Sequence, residues 1–359
     1  MSPVSNERVV VAMSGGVDSS VAAALLVARG VEVIGVTLHL AGSSSRCCSL
    51  ADADDARRVA ERLGVRFYVV NYMDRFRREV METFADSYLA GRTPIPCLAC
   101  NKSFKFDYLL ERARVLGASR VASGHYARVD VDPETGLRRL RRAADTTKDQ
   151  TYFLFQLDQA QLAALELPLG DLRKDEVRAQ ARALGLATAE KAESQEICFV
   201  PDGDYARVVE TLRPDALPGR GAIVDDAGRV LGQHDGIHHF TVGQRRGLGI
   251  ASEGRLYVTR IDAVRNRIVV GDVDALGARR ARVERVSWIA GMAPAVGTRA
   301  RVRIRYRHAG AEAALEPQAG GGALVHFDAP VQAVAPGQAA VFDAGDVVLG
   351  GGFLAEALA

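Results

Sequence analysis

The stretch Ser14-Gly15-Gly16-Val17-Asp18-Ser19 sets two glycines, an acid and two hydroxyls directly behind the β-branched run Val9-Val10-Val11. Glycine lets a backbone approach an anion closely, and a helix starting there offers unpaired N–H groups and the positive end of its dipole. The chemistry expected at this turn is phosphate binding. The lysine-containing pattern G-x-x-x-x-G-K-[ST] is absent, so the anion must be neutralised from elsewhere; Asp18 is suited to do so indirectly, by holding Mg²⁺ against the phosphates. The plain alternative is a glycine-rich strand-to-helix turn with Ser19 as an ordinary cap.

The second candidate chemistry is that of sulfur. Cys97 and Cys100 close the proline-stiffened segment Arg92-Thr93-Pro94-Ile95-Pro96 and precede a helical pattern over 101–116. Cys100 is therefore expected near a helix N-terminus, where the dipole, Lys102 and Lys105 would favour its thiolate. Cys198 follows acidic residues within an apolar, strand-like segment. Chemistry that moves sulfur needs one thiol to carry it and another to attack or release it. Zinc on Cys97-x-x-Cys100, completed by Cys198 or another residue, and an inert buried pair both stay open. Cys47 and Cys48, adjacent in a Ser-rich loop, are expected to be structural.

These residues need elements to position them. A chain of 359 residues, 48% hydrophobic, has material for two or three domains. It has no apolar run long enough to span a membrane and no leader pattern, and its odd, scattered cysteines do not suggest a secreted disulfide framework; a cytoplasmic protein is expected. Net charge is only +2, but of 46 basic residues five are lysine, and Lys102, Lys105 and Lys148 fall in segments that look chemical. Up to about residue 128 strands (9–13, 31–38, 65–70, 120–123) alternate with helices (19–29, 52–63, 74–90, 101–116), which argues a parallel sheet covered on both faces. In such sheets ligands sit at the carboxyl ends of strands, so Ser14–Ser19, Leu38–Leu40 and Ser123–Tyr126 are expected to converge on one nucleotide. Helices are expected within 158–185. From about residue 205 short strands bounded by Gly and Asp take over.

Arg299, Arg301, Arg303, Arg305 and Arg307 alternate with Ala300, Val302, Ile304 and Tyr306. In one strand this puts a row of guanidinium groups on one face, expected as a phosphate track for nucleic acid and extended by Arg245, Arg246, Arg279, Arg280 and Arg282. His238 and His239 are expected to be structural or to lie on an RNA-facing surface.

The S-G-G-V-D-S turn resembles the PP-loop of the N-type ATP pyrophosphatases. More of the chain, through "AMSGGVDSS", "RTPIPCLACNKSFKFD", "ASGHYAR", "KDQTYFL", "ICFVPDGDY", "HHFTVGQRRGLGI" and "APGQAAVFD", resembles the bacterial tRNA-specific 2-thiouridylase family. The fold class so expected is α/β: a parallel-sheet PP-loop nucleotide-binding domain (1–205), a small β-rich central domain (206–277) and a C-terminal β-barrel (278–359). The resemblance implies ATP and Mg²⁺ as cofactors, with ATP held by Ala12, Met13, Ser14, Gly15, Gly16, Val17, Asp18, Ser19, Leu38 and Gly124. It implies Cys100 as nucleophile, Cys198 as persulfide carrier, and Ile95, Pro96 and Cys97 at the target base. His125, Lys148, Asp149, Gln150, Arg305, Tyr306 and Gln338 are implied to meet tRNA. The implied partners are the Lys, Glu and Gln isoacceptors and a cysteine desulfurase or sulfur-relay protein. Two departures stand out: Ile95 replaces the family's usual Asn, and Cys97 stands where some relatives carry Asp. A third thiol also leaves open an iron–sulfur cluster on Cys97, Cys100 and Cys198.

Overall fold

In the computed structural model the residues described are 7–42, 49–193, 197–200, 202–252 and 254–358. Cys47 and Cys48 lie outside them. Strands β1 (Arg8–Ala12), β2 (Glu32–His39), β3 (Arg66–Asn71), β4 (Arg120–Ser123) and β7 (Leu165–Glu166) form a parallel sheet in the order β3-β2-β1-β4-β7. Val9, Val10 and Val11 are all 0% exposed. A strand covered on both faces has no polar side to show, which is why its sequence runs apolar without alternating. One face packs helices α1 (Val17–Ala28), α2 (Leu50–Leu63) and the helix Lys174–Ala183; the other packs the helical stretches 73–89 and 96–115.

The second stretch begins earlier than expected. Pro96 occupies its first turn, where a missing N–H costs nothing, and the helix continues without a break through a π-helical segment from Cys100 to Tyr108. Cys97, not Cys100, therefore stands in the first turn, and Cys100 sits one turn deeper than the dipole argument assumed. Beyond the sheet, the helix Tyr205–Leu212 occupies the point where strands were expected to begin.

The central region is a four-stranded sheet in the order β10-β11-β8-β9, from β8 (Gly221–Asp225), β9 (Val230–His234), β10 (Tyr257–Asp262) and β11 (Arg267–Gly271). Then β12 (Gly277–Trp288), β13 (Thr298–Arg303), β14 (Ala311–Gln318), β15 (Gly322–Gln332), β16 (Ala339–Ala344) and β17 (Val347–Leu358) pair in the order β12-β15-β14-β13-β16-β17, and β17 closes back on β12 as a six-stranded barrel. A hairpin from the first region, β5 (Ala127–Val131) and β6 (Arg138–Arg142), adds to the barrel's wall through Val347↔Arg141 and Val348↔Leu140. No helix among the described residues is long and apolar enough to cross a membrane.

The expected arginine track is corrected here. β13 ends at Arg303, so the alternation does not continue to Arg307. Arg303 is 3% exposed; its guanidinium reaches Asp149 (3.1 Å), Thr151 (3.0 Å) and Asp343 (2.9 Å). Arg299 donates to Asp328 (2.9 Å), Arg301 to Glu312 (3.0 Å) and Arg282 to Glu356 (2.7 Å). Acids from neighbouring strands answer these arginines, and Arg303 instead keys the barrel into the loop that carries Asp149. Truncating one partner of a buried pair strands the other charge at a cost of about 3–5 kcal/mol. Arg303→Leu should therefore lower barrel stability by about that much in urea. The chain's one tryptophan, Trp288, lies on β12 and makes its fluorescence a barrel-specific probe. A loss below about 1 kcal/mol would mean that the two carboxylates find other partners.

Candidate active site

A cavity of about 1140 Å³ opens at the carboxyl ends of β1, β2 and β4. At its base the turn after β1 is shaped by Gly15. Its φ is +69°, and a Cβ there would lie 2.1 Å from the Asp52 carbonyl oxygen. Only glycine allows α2 to come so close. Gly16 caps α1 with no side-chain hydrogen bond, which keeps the helix's first N–H groups clear for a ligand. Ser19 is not the cap: its Oγ accepts from the Ser14 N–H (3.2 Å) and donates to the Gly16 carbonyl (3.1 Å), closing the turn on itself. Across the turn a Cβ on Gly124 would fall 2.6 Å from the Ser19 nitrogen. The end of β4 thus presses directly on the start of α1, the point where the sheet's strand order reverses.

Ala12, Met13, Ser14, Gly16, Val17, Asp18, Ser19, Leu38 and Gly124 all line the cavity, and so do Pro96, Cys97, Cys100 and Cys198. His125, Lys148, Asp149 and Gln150 line it as well, and Arg305, Tyr306 and Gln338 of the barrel region complete the wall. Gly15 and Ile95 are not among the lining residues; Ile95 packs against the apolar cluster of Leu98, Phe106 and Tyr152. Cys198 sits in a turn closed by Val200 N–H to the Ile197 carbonyl (2.8 Å), not in a strand-like segment. All three thiols are partly buried. Among the described residues the one group of three His, Cys, Asp or Glu donors within 4.8 Å of one another is Glu210, His238 and His239. The three sulfurs are therefore not gathered closely enough to hold a single zinc ion.

The sequence-based expectations reached two of the cavity's lysines, Lys105 and Lys148, and missed the other two. Four of the chain's five lysines line the cavity: Lys105, Lys148, Lys174 and Lys191. Lys174, at the start of its helix, places Nζ 2.7 and 2.8 Å from the two Asp18 carboxylate oxygens and 3.0 Å from Glu193. Glu193 also accepts from Lys148 (2.7 Å), and Tyr126 donates its hydroxyl to Asp18 (2.8 Å). Asp18, Lys174, Glu193 and Lys148 thus form one alternating chain of charge from the glycine turn to the barrel side. Burial pulls the Glu193 carboxyl upward, but hydrogen bonds from Lys148 and Lys174 outweigh it and leave its pKa below the ordinary value. Lys191 is answered by Asp52 (2.8 Å) and Asp55 (2.6 Å). The only signal for Lys174 and Lys191 was the scarcity of lysine.

His125 is 7% exposed, and its Nδ1 lies 2.8 Å from the Ser123 hydroxyl. Burial, aided by Lys105, holds its pKa well below the ordinary value, so the cavity wall presents a neutral imidazole. Asp149 is 5% exposed and is held by Ala143 N–H (3.1 Å), Thr151 (2.8 Å), Arg142 (3.2 Å) and Arg303 (3.1 Å). Tyr306 lies over Phe153 with centroids 4.6 Å apart, an aromatic surface at the cavity mouth. The glycine turn with its open helix N-terminus suits a triphosphate, and Asp18 suits a hard cation that takes one carboxylate with phosphate oxygens and water.

A family model described as the tRNA methyl transferase HUP domain matches residues 7–202. Models described as the tRNA methyl transferase PRC-barrel domain and the aminomethyltransferase beta-barrel domain match residues 210–272 and 278–354. The chain is 49% identical over 367 residues to a tRNA-specific 2-thiouridylase MnmA of Solibacter usitatus, covering 97% of this chain and 99% of that protein. Its similarity to the protein of the same name from Koribacter versatilis is 47% over 366 residues, with 97% and 99% covered. With that of Geobacter metallireducens it is 49% over 368 residues, with 100% and 99% covered.

Proposed function

The chain belongs to the tRNA-specific 2-thiouridylase family, and from that premise we propose that it replaces the C2 oxygen of the tRNA wobble uridine with sulfur at the expense of ATP. What carries this is one cavity lined both by the glycine turn and by the thiols of Cys100 and Cys198. Descriptions naming methyl transfer fit these residues poorly. A methyl donor has no use for a triphosphate cradle beside three cysteines, whereas sulfur transfer to an activated carbonyl uses both.

ATP lies with its phosphates on Ser14–Ser19 and its adenine against Leu38. The target uridine is splayed from the anticodon loop into the cavity, the usual way for single-stranded RNA to be acted upon. Pro96 and Cys97 face the base, and His125, Lys148, Gln150, Arg305, Tyr306 and Gln338 meet the surrounding nucleotides. Uridine O2 attacks the α-phosphorus and pyrophosphate leaves. Lys174 then exchanges Asp18 for the departing phosphates, supplying the charge that a P-loop lysine supplies elsewhere. Mg²⁺, when bound through Asp18, would neutralise the remaining charge. C2 now carries an AMP leaving group.

Cys198 holds the incoming sulfur as a persulfide, loaded by a cysteine desulfurase or a relay protein in the cytoplasm. In one route the terminal sulfur attacks C2 and expels AMP, and Cys100 thiolate then attacks the Cys198 sulfur, releasing thiouridine and leaving a Cys100–Cys198 disulfide. In the other, Cys100 attacks the persulfide first, and the freed sulfide displaces AMP with the same disulfide as by-product. In either route a dithiol reductant resets the pair. The expected substrates are the Lys, Glu and Gln isoacceptors. An iron–sulfur cluster on Cys97, Cys100 and Cys198 is the second reading, favoured by the third cysteine in the same cavity.

Release of pyrophosphate from ATP, stimulated by unmodified tRNA and not by 2-thiolated tRNA, is the expected behaviour. Stimulation by ammonia with a carboxylic acid would indicate amide-forming relatives instead. Tight tRNA binding without pyrophosphate release would reduce the protein to an RNA-binding module.

A further inference from the structure

Away from the cavity, Glu210 on the helix Tyr205–Leu212 faces the turn Ile237–His239 of the central region. Its Oε1 lies 3.2 Å from His238 Nε2 and 3.5 Å from His239 Nε2. Donors about 2.0–2.1 Å from a tetrahedral zinc ion are separated by about 3.3 Å, so both distances match edges of such a site. His238 is 2% exposed; its Nε2 is turned to the cluster, where it hydrogen-bonds Glu210, and its buried Nδ1 has no hydrogen-bond partner. Glu210 and His239 are partly open, at 41% and 39%, and give an ion a way in.

The surroundings favour a cation. The two imidazole rings lie side by side, with centroids only 4.2 Å apart. The carboxylates of Glu210, Asp204 and Asp235 supply negative field at His239. Two imidazoles beside a carboxylate are the donor set of borderline divalent ions, not of Mg²⁺ or Ca²⁺.

We propose that Glu210, His238 and His239 form a binding site for one Zn²⁺-class ion, separate from the catalytic cavity. The geometry also gives the ion something to do. The Tyr205–Leu212 helix is fastened to the catalytic region by Tyr205 stacked on Tyr88 at 4.6 Å and by Arg213 paired with Asp86 (2.7 Å) and Glu82 (3.2 Å). A metal joining Glu210 to the histidine turn ties the central sheet to that helix, fixing the angle between the two regions over which a tRNA must lie.

The test is an anaerobic Co²⁺ titration of the full chain without a polyhistidine tag, read by visible absorption. One equivalent is expected with nitrogen/oxygen ligand-field bands and no near-ultraviolet thiolate-to-cobalt band, competed by Zn²⁺ and unaffected by about 10 mM Mg²⁺. Glu210→Gln and His239→Gln, both at partly exposed positions, should each weaken it about tenfold or more. Cys100→Ser should bind Co²⁺ normally. No binding at about 100 µM Co²⁺, equal binding in both variants, or a signal carrying the thiolate band and lost only in Cys100→Ser would each overturn the proposal.

Discussion

Replacing Cys198 with serine is expected to abolish tRNA thiolation, by on the order of 10³-fold or more, while tRNA-stimulated pyrophosphate release continues. In the mechanism proposed above, attack of uridine O2 on ATP uses no thiol, so the two half-reactions should come apart. Cys100→Ser should stop thiolation to the same extent, yet the variants should differ when a desulfurase and cysteine are supplied: Cys198→Ser accumulates no protein-bound sulfane sulfur, whereas Cys100→Ser loads and stalls. Loading on Cys100 alone would reverse the roles. Cys97→Ser divides the relay from the cluster. Iron-free protein carrying that change should keep most of its activity, and activity that appears only with iron bound would assign the chemistry to a cluster of three thiolates.

The second large effect is expected at the charged chain on the cavity floor. Lys174→Ala and Asp18→Asn should each slow tRNA-stimulated pyrophosphate release by about 10²–10³, the usual loss when a preorganised group facing developing charge is removed. Their effects differ in kind. Lys174→Ala leaves the carboxylate free for metal, so raised Mg²⁺ should recover part of its activity, whereas Asp18→Asn should respond little because the carboxylate itself is gone. Affinity for tRNA should stay within about threefold in both, since neither group is among those assigned to RNA phosphates. Wild-type pyrophosphate release by Lys174→Ala would show that another cation, Lys148 or Lys191, meets the phosphates.

That lysine also marks where sequence stops being informative. The turn after β1 was legible because strand, glycines and helix are contiguous, and local backbone geometry is written in adjacent residues. Lys174 reaches Asp18 across 156 positions of chain, and its own segment shows only an amphipathic helix. The arginine alternation failed for a related reason. Period two tells which side chains share a face of β13, but not that Asp328, Glu312 and Asp343 stand opposite, nor that Asp149 arrives from another region to bury Arg303. Cys100 was placed near a helix start because Pro94 and Pro96 looked like a loop, yet proline is at home in a first helical turn, and the helix had begun by residue 96. The β5–β6 hairpin left only a weak trace, an Asp-Pro-Glu-Thr-Gly turn between arginine-rich arms.

The place of β17 sets the order in which the chain becomes an enzyme. Its residues, 347–358, come after every other strand described, and they both close the barrel against β12 and pair with β6 of the hairpin. While β17 is still in the ribosomal tunnel, the parallel sheet and its glycine turn have all their strands. β6, however, lacks its partner, and Asp149 has no closed barrel to hold Arg303 against it. An unpaired edge is an invitation to wrong pairing, so the nascent chain is most vulnerable between these two moments. The barrel's share of the cavity wall, Arg305, Tyr306 and Gln338, is in place only once β17 has closed the barrel. On the function proposed above, a chain whose β17 has not docked keeps the glycine turn for nucleotide but lacks the closed barrel that brings Arg305, Tyr306 and Gln338 to the cavity, so a uridine has nothing on that side to hold it.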